Sequence, residues 1–374
     1  MVQRKQEHVG KVMSKKVLIT GVTGQDGSNM VDFLLSSNEE VKIFGMIRRS
    51  ANPNFINCQT FLNHPNFQLV YADLVDELSI FKIVQEIQPD FLINFAANSF
   101  VGCSWDMPMQ VFDANSMGVL RCLEAIRRYQ PKCRFYSAGS SEEFGDVEYS
   151  PQDILHPLKP RSPYAVSKCT ARHIVKVYRE SYDMYAVHGI LFNHEGLRRG
   201  EEFVTRKITK GVARIHNYFR SLNARRRSEG AESTVSPIEL GNLDAKRDWS
   251  DSEDFVKGVW LMLNRDGPKD YVLASGETHS IREFVEKAFK CVDMEGSWVG
   301  EGIDEEYRYE EGGRKHALVK VNQLFYRPAE VEILLGDPTL AEEELNWQRE
   351  ISFDKLVQRM VLFDVASFEK GTNS

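Results

Sequence analysis

Short apolar runs, rich in β-branched and aromatic residues, recur at regular intervals through the first half of the chain. They cover residues 17–20, 41–47, 67–71, 89–97, 134–137 and 186–192. Between them lie segments with helical periodicity, at 28–35, 78–87, 110–129 and from residue 163 onward. Strands that alternate with helices at this spacing predict an α/β fold with a doubly wound parallel sheet and right-handed crossovers.

Three glycines directly follow the first strand and open the first helix, with the spacing G-x-x-G-x-x-G. Glycine lets the backbone approach a ligand closely, and the free N–H groups and dipole of a helix N-terminus attract a pyrophosphate. The turn therefore predicts a dinucleotide site in a Rossmann-like sheet, although a plain turn is the alternative. The residues assigned to it are Gly21, Thr23, Gly24, Gln25, Asp26 and Gly27.

The regular alternation ends after residue 192, and the chain then becomes richer in charge. We predict a dinucleotide-binding domain over 15–195, with a later return near 240–275. A smaller mixed α/β domain for the substrate takes 196–239 and 276–365. Residues 1–14 are predicted as a flexible extension and 366–374 as a tail. The patterns Ser250-x-x-Glu253 and Ser280-x-x-Glu283 predict capping boxes at the starts of two helices.

The second strand ends at Arg48 and Arg49, about 20 residues past the glycines. An NAD-specific fold tends to carry an acidic residue here, which holds the ribose 2′-hydroxyl. Two arginines instead favour a 2′-phosphate, and therefore NADP as the cofactor. A solvated, cationic strand end is the alternative interpretation.

The ends of the third and fourth strands supply further candidate cofactor contacts. Asp73, followed by Leu74, can accept a hydrogen bond from the adenine amino group, or it can cap the helix that starts near residue 77. The small residues Ala96 and Ala97 end the fourth strand, where they would let a cofactor pass close to the backbone, and Ser99 lies two positions further on.

Candidate acid/base groups follow the fifth strand. Ser140 and Glu142 lie two positions apart in an irregular loop, so both can face one ligand. Tyr164 and Lys168 occupy positions i and i+4 of a predicted helix, and such residues share a helix face. A lysine ammonium beside a phenol lowers the phenol's pKa, which would let the tyrosine exchange protons near neutral pH. The alternative is a surface pair without a chemical role.

Composition narrows the class of protein. A net charge of −7 argues against nucleic acid as the main partner. The six cysteines and nine histidines form no C-x-x-C or H-E-x-x-H pattern, so we predict no metal. The N-terminus lacks the apolar region of a secretory signal, and no stretch approaches the roughly 18 apolar residues of a membrane span. We therefore predict a reduced, cytoplasmic protein.

Longer motifs resemble those of a known family. They lie at residues 21–28, 47–50, 141–142, 161–164, 189–195, 198–200, 203–208, 241–249 and 326–330. Over residues 15–364 the chain resembles the extended short-chain dehydrogenase/reductases and, among them, the GDP-mannose 4,6-dehydratase family.

The resemblance implies a lyase that converts GDP-mannose to GDP-4-keto-6-deoxymannose with tightly bound NADP, on the way to GDP-fucose or other GDP-deoxyhexoses. Tyr164 with Lys168 would take the proton of the sugar 4-hydroxyl. Glu142 would remove the C5 proton and Ser140 would orient the sugar, with Glu143 as a spectator. The alternatives are a dehydratase of another GDP- or CDP-sugar, an NADP-dependent nucleotide-sugar epimerase or reductase, and a non-catalytic nucleotide-binding protein.

Polar and cationic residues after the sixth strand, at positions 193, 198, 199, 206 and 207, can neutralise a diphosphate, although a solvated charged loop is the alternative. We assign His194 and Arg199 to the cofactor. The resemblance implies substrate contacts for Asn193, Lys207, Arg247, Arg327 and Glu330. It also implies a homodimer or tetramer in which the segment after Arg49 reaches a neighbouring subunit's cofactor site.

The sequence departs from the family pattern in several places. Ser140 stands where threonine is usual and Phe100 where histidine is usual. Residues 195–197 read Glu-Gly-Leu in place of Glu-Ser-Pro. Residues 217–237 form a longer connection than usual and contain four arginines, so we predict a disordered basic insertion. These departures bear on the identity of the substrate more than on the type of reaction.

Overall fold

Parallel strands and helices alternate through the first half of the chain, as the apolar pattern predicts. The computed structural model describes residues 14–37, 40–225, 235–326 and 333–370. The strands are β1 (Lys15–Thr20), β2 (Val41–Ile47), β3 (Phe67–Tyr71), β4 (Phe91–Asn94), β5 (Arg134–Ala138) and β6 (Ala186–Leu191). The helices are α1 (Gln25–Ser36), α2 (Glu77–Ile87), α3 (Pro108–Phe112), α4 (Gly118–Tyr129) and α5 (Pro163–Tyr182).

Shorter strands and five helices make up the second half of the chain where the structure describes it. The strands are β7 (Asn193–Glu195), β8 (Ile238–Leu240), β9 (Lys246–Arg247), β10 (Trp249–Asp251), β11 (Tyr271–Leu273), β12 (His279–Ser280), β13 (Ser297–Val299), β14 (Glu306–Glu311), β15 (Arg314–Val321) and β16 (Ile333–Leu334). The helices are α6 (Val204–Arg225), α7 (Ser252–Leu263), α8 (Ile281–Lys290), α9 (Thr339–Leu345) and α10 (Phe353–Glu369).

The central sheet has seven parallel strands in the order β11-β6-β5-β4-β1-β2-β3. Val17, Leu18 and Ile19 of β1 are fully buried, because helices cover both faces of the sheet. The predicted Rossmann-like fold class is therefore confirmed. The strand order reverses between β1 and β4, and folds of this kind bind ligands at the carboxyl ends of the strands at that point.

A second hydrophobic core lies between α6, α8, α10 and the sheet β13-β14-β15-β8. Its fully buried members include Val212, Phe284, Leu318, Val357 and Met360. The boundaries that we predicted for the two domains stay a prediction.

Two predicted irregular segments are helical where the structure describes them. Ile208, Val212, Ile215 and Phe219 pack into the second core, and this face carries α6 on to residue 225. The predicted disordered insertion is therefore wrong for residues 217–225, and residues 226–234 lie outside the described residues. Helix α10 ends at Glu369, so residues 366–369 are not a tail. The predicted extension, apart from residue 14, and residues 371–374 also lie outside the described residues.

One of the two predicted capping boxes is misplaced. Ser280 caps α8, since its side chain accepts a hydrogen bond from Glu283 N at 3.1 Å. Asp251 caps α7 by accepting from Glu253 N at 2.9 Å. Ser250 instead belongs to β10, which pairs with β7, so its predicted role as a cap is wrong. None of the described helices combines the length and the apolar character that crossing a bilayer requires.

A buried ion pair joins α6 to α10. Arg206 Nη2 lies 2.9 Å from Asp364 Oδ1, and Thr209 Oγ1 donates to Asp364 Oδ2 at 2.7 Å. Both charged side chains are buried. The expectation that Arg206 serves a diphosphate is therefore wrong, because the residue holds two helices of the second core together.

We expect Arg206→Met to lower the free energy of unfolding by about 3 kcal/mol, since it leaves the Asp364 carboxylate buried without its cation. The double variant Arg206→Met/Asp364→Leu should recover most of that loss, because neither charge is then buried alone. Urea unfolding of the three proteins measures both effects. A single variant as stable as the wild type would contradict this account of the pair.

Candidate active site

A cavity of about 1190 Å³ opens at the carboxyl ends of β1, β4 and β5. Most of the predicted cofactor and catalytic residues line it, together with one predicted substrate residue, Asn193. They are Gly21, Thr23, Gly24, Gln25, Asp26, Gly27, Arg48, Asp73, Leu74, Ala96, Ala97, Ser99, Ser140, Glu142, Tyr164, Lys168, Asn193, His194 and Arg199. The structure therefore brings together residues that are up to 178 positions apart in the sequence, from Gly21 to Arg199.

Hydrogen bonds at the ends of β1 and β4 hold the floor of this cavity. Thr20 Oγ1 donates to Asn94 Oδ1 at 2.7 Å and accepts from Ala96 N at 3.0 Å. Gly21 follows with a φ of +69°, and a Cβ atom there would lie 2.8 Å from Ala96 N. Only glycine fits this position, because a side chain would meet the neighbouring backbone.

The start of α1 is shaped for an anion. Gly24 precedes the helix and supplies no side-chain cap, so the first N–H groups of the helix are left for a ligand. A Cβ atom at Gly27 would lie 2.3 Å from Gly21 O. The glycine turn is therefore packed against the helix as a dinucleotide site requires, and these residues fit a pyrophosphate.

A partly buried pair, Asp26 and His194, fixes the first turn of α1 against β7. His194 Nε2 lies 3.0 Å from Asp26 Oδ2, and His194 Nδ1 lies 2.7 Å from Phe192 O. Both ring nitrogens face acceptors, so the histidine is favoured as an imidazolium. Burial opposes the charge on each partner, but their mutual attraction prevails. The pKa of Asp26 is lowered and the pKa of His194 is raised.

Asp73 lines the cavity and does not cap α2. Asp76 is the N-cap of that helix and accepts from Leu78 N at 3.2 Å. Asp73 Oδ1 accepts instead from Val75 N at 3.2 Å, within its own turn. The capping alternative for Asp73 is therefore wrong, and its contact with adenine stays a prediction.

The two arginines at the end of β2 differ in position. Arg48 lines the cavity, whereas Arg49 is exposed and is not among the lining residues. Ser50, Asn52, Pro53 and Asn54, in the segment expected to reach a neighbouring subunit, line this chain's own cavity.

Tyr164 and Lys168 lie on the first turns of α5, which Ser162 caps by accepting from Ala165 N at 3.0 Å. Lys168 Nζ donates to Ala138 O at 2.7 Å and lies 5.7 Å from the centre of the Tyr164 ring. The Tyr164 side chain forms a hydrogen bond with Ser140. The helix thus sets the tyrosine and the lysine against the loop that follows β5 and carries Ser140.

Burial dominates the protonation of both helix residues. It raises the pKa of Tyr164, and the hydrogen bond with Ser140 and the charge of Arg199 offset this only in part. It lowers the pKa of Lys168 to about 8, although the charges of Glu143 and Asp26 act in the opposite direction. The expectation that Lys168 lowers the pKa of Tyr164 is therefore wrong for the protein alone, because removal from water outweighs the neighbouring cation.

A π-helical turn, Asp113–Met117, lies within the segment 110–129 that we predicted as helical. It places Asn115 so that Oδ1 accepts from Asn98 N at 2.8 Å and Nδ2 lies 3.1 Å from Ser167 Oγ. Asn115 therefore joins the loop after β4 to α5, between Tyr164 and Lys168. The helical periodicity does not reveal this turn, which packs against α5.

Adjacent glutamates after β5 face in opposite directions. Glu142 lines the cavity. Glu143 is fully buried, and its Oε1 accepts from Ser140 N at 2.8 Å and from His188 Nε2 at 2.9 Å. Glu143 points away from the cavity as expected, yet it is more than a spectator. His188 was missed, although a histidine inside the apolar strand β6 is a signal that could have identified it.

The cationic residues after β6 are dispersed. Arg198 pairs with Asp32, and Arg199 Nε lies 2.9 Å from Glu195 Oε2, with its guanidinium 3.4 Å from the centre of the Phe203 ring. Phe203 in turn packs edge-to-face against Phe100, and both rings line the cavity.

The predicted substrate residues do not all reach the first cavity. Lys207 lines a separate cavity of about 830 Å³, where its Nζ lies 3.3 Å from the centre of the Phe325 ring. Arg247 is buried and donates to Lys246 O at 2.8 Å. Arg327 and Glu330 lie outside the described residues.

A glycine turn at the switch point of a doubly wound sheet, with Ser140, Tyr164 and Lys168 at one cavity, is the arrangement of the short-chain dehydrogenase/reductase class. The family model for GDP-mannose 4,6 dehydratase matches residues 18–360. The chain belongs to the GDP-mannose 4,6-dehydratase family.

Relatives match over almost the whole chain. A GDP-mannose 4,6 dehydratase of Drosophila melanogaster is 42% identical over 370 residues, which cover 97% of this chain and 89% of that protein. One of Homo sapiens is 41% identical over 365 residues, covering 96% and 93%. The solved dTDP-glucose 4,6-dehydratase of Streptomyces venezuelae has the same fold, with a TM-score of 0.76 at 18% identity, covering 96% of this chain and 98% of that one.

We expect Gly27→Ala to weaken the binding of nicotinamide dinucleotides by about tenfold or more, because the added methyl group displaces the backbone of the glycine turn. The matched control is Gly267→Ala, since a Cβ atom there meets nothing within 4 Å. Fluorescence titration with the dinucleotide measures both variants. Equal affinity in the two would show that the close packing at Gly27 is not needed for binding.

Proposed function

We propose that this protein is a hydro-lyase that converts GDP-mannose to GDP-4-keto-6-deoxymannose without net oxidation. Membership of the family supports this reaction. The observation that carries the proposal is that Glu142 lines the same cavity as Ser140, Tyr164 and Lys168. A nucleotide-sugar epimerase or reductase needs no base for elimination at C5, so the placement of Glu142 favours the dehydratase.

The cofactor in this proposal is a nicotinamide dinucleotide, and more specifically NADP. The glycine turn and the start of α1 would hold its pyrophosphate. Arg48, at the edge of the cavity, would pair with the 2′-phosphate, and Arg49 would add charge from outside. When bound there, the dinucleotide would supply reversible hydride transfer to and from the sugar.

Tyr164 is the base for the sugar 4-hydroxyl in this mechanism. Because burial raises its pKa, the phenol needs help to release a proton, and its hydrogen bond with Ser140 favours the phenolate. Lys168, with a pKa of about 8, is mostly protonated at neutral pH, so its ammonium can balance the charge of the phenolate. Ser140 also orients the 4-oxygen of the sugar.

Glu142 performs the elimination once C4 is a ketone, which acidifies the hydrogen on C5. The carboxylate removes that proton, and the C6 hydroxyl leaves as water. Glu142 lies two residues from Ser140, whose Oγ accepts from Glu142 N at 3.3 Å. The serine that orients the 4-oxygen thus also helps to hold the backbone of the C5 base.

The nucleotide end of the substrate extends toward the second cavity in this proposal. Lys207, Lys210 and Arg214 line that cavity from one face of α6, and burial lowers the pKa of Lys207 and of Arg214. Three cations spaced along one helix face suit a diphosphate. Asn193 would contact the substrate from the first cavity. Arg247, Arg327 and Glu330 remain proposed contacts.

We further propose a cytoplasmic homo-oligomer, a dimer or a tetramer. Val166, Val177 and Tyr182 of α5 expose 43%, 54% and 50% of their surface, and apolar residues exposed along a helix suit contact with a second copy. All six cysteines are unpaired, as in proteins of a reducing compartment.

We expect the purified protein, given GDP-mannose and a trace of NADP⁺, to yield a product lighter by one water without accumulating NADPH. Glu142→Gln should bind the cofactor normally and lose about 10²-fold or more of this activity, because it removes the base for C5. The control is Glu148→Gln, which changes an exposed carboxylate paired with Lys159. Mass spectrometry of the sugar nucleotide follows the reaction. Full turnover by Glu142→Gln would refute the role of Glu142 as the C5 base. If the wild-type protein dehydrates a different sugar nucleotide and not GDP-mannose, the proposed substrate is refuted.

We expect Arg48→Ala to weaken NADP⁺ binding by about tenfold or more and to leave NAD⁺ binding nearly unchanged, since only NADP⁺ carries the 2′-phosphate. Arg49→Ala is the comparison, because Arg49 does not line the cavity and should have the smaller effect. Calorimetric titrations with both dinucleotides give the ratio of affinities. An unchanged ratio in Arg48→Ala would remove the basis for NADP preference.

A further inference from the structure

A polar pair lies buried beneath the loop that carries the active-site serine. The side chains of Glu143 and His188 are both fully buried, and Glu143 Oε1 lies 2.9 Å from His188 Nε2. Because the partner is a carboxylate oxygen, Nε2 carries the proton and donates. The pair connects the loop after β5 with the middle of β6.

The pair is packed directly against the backbone of the loop. Glu143 Oε1 accepts from Ser140 N at 2.8 Å. A Cβ atom on Gly139 would lie 2.3 Å from His188 Nε2 and 2.8 Å from Glu143 Oε1, so only glycine leaves room for the pair. The next residue back, Ala138, accepts from Lys168 Nζ at 2.7 Å. The three successive residues 138–140 therefore connect the buried pair to Lys168.

The strand side of the pair is equally fixed. His188 N donates to Asp270 Oδ1 at 2.8 Å. Arg179 holds the same carboxylate through contacts of 2.6 Å and 3.0 Å. The histidine is therefore set in a rigid part of the sheet, and it can transmit that position to the loop.

Stability alone does not account for this arrangement. Removing a carboxylate from water is costly, and a buried charged pair often stabilises a fold less than apolar residues would. Within the part of the chain that the structure describes, Glu143 Oε2 and His188 Nδ1 are buried and have no hydrogen-bond partner. The pair therefore determines a geometry and a local charge more than it adds stability.

We propose that Glu143 and His188 are positioning residues, which fix the loop of Ala138 and Ser140 and place a permanent negative charge beneath Lys168 and Tyr164. This inference rests on the proposed function, because it assigns the pair a role in proton transfer by those two residues.

The surroundings of the carboxylate support a permanent charge. Burial would raise the pKa of Glu143, but His188, Arg172 and the hydrogen bond from Ser140 outweigh it and lower that pKa. Its charge acts to raise the pKa of both Lys168 and Tyr164. The other titratable groups that face the pair are Tyr136, Cys169 and Asp270.

The decisive variant is Glu143→Gln, which keeps the shape of the side chain and removes its charge. NMR titration of protein labelled at lysine Cε, with Lys168→Met to assign the signal, should show Lys168 losing its proton at a pH lower by about half a unit or more. In the dehydratase assay both limbs of the kcat/KM profile should move to lower pH, because the carboxylate raises both pKa values. We expect kcat to fall about tenfold with KM nearly unchanged.

Asp364→Asn is the matched control, since it neutralises another buried carboxylate that lies in the second core. It should lower the melting temperature without moving the Lys168 titration or the pH profile. If Glu143→Gln lowers the melting temperature but moves neither the Lys168 titration nor the pH profile, as expected of Asp364→Asn, the positioning role is refuted. If Glu143→Gln does not fold, Glu143→Gln/His188→Gln takes its place, because it leaves no charge buried alone. If Lys168 in that double variant loses its proton at the same pH as in the wild-type protein, the proposal is also refuted.

The two proposals fail in different ways. A wild-type protein that dehydrates no sugar nucleotide would refute the proposed function, while the Lys168 titration would still decide whether Glu143 controls the charge of the lysine. Conversely, an active wild type with an unshifted titration in Glu143→Gln would refute only the positioning role.

Discussion

The hydrogen bonds that Thr20 makes with Asn94 and Ala96 are the interaction on which the rest of the site depends. They join β1 to β4 at the point where the strand order reverses, and they fix the backbone against which Gly21 must pack. The glycine turn, the uncapped start of α1 and the pair of Asp26 and His194 all take their positions from this junction. The cavity is therefore a consequence of how two parallel strands end, and the loops around it can vary.

The burial of Tyr164 and Lys168 then determines the proton transfers that the cavity supports. Asp26 with His194 is a partly buried pair, and Glu143 with His188 is a fully buried one. Burial also favours the neutral forms of Tyr164 and Lys168, because it raises the pKa of the tyrosine and lowers that of the lysine. Charges in such surroundings act over several residues because little solvent screens them. Burial has the largest effect on which of the two groups holds a proton, and the charges of the neighbouring carboxylates modify it.

The sequence was sufficient for features that depend on local pattern. Six of the seven strands of the central sheet, β1 to β6, follow from periodicity, whereas β11 was not predicted. The glycine turn and the positions of Ser140, Glu142, Tyr164 and Lys168 follow from recognisable motifs, and the structure brings these residues to one cavity. Features that depend on distant partners were missed. From the sequence, Arg206 is interpreted as a cation that binds the diphosphate, because its partner Asp364 lies 158 positions away. Packing likewise explains why His188 pairs with Glu143, why Asp251 caps α7 and why α6 continues to residue 225. A pattern of neighbouring residues in the sequence does not contain this information.

The π-helical turn between α3 and α4 has a consequence for how this chain can change in evolution. A residue in an α-helix turns the chain by about 100°, so losing the extra residue would swing Asn115 away from Asn98 and Ser167. The length of the tract from residue 108 to residue 129 is therefore constrained even where its surface residues are free to differ. Descendant sequences should accept substitutions along this tract far more readily than a single deletion.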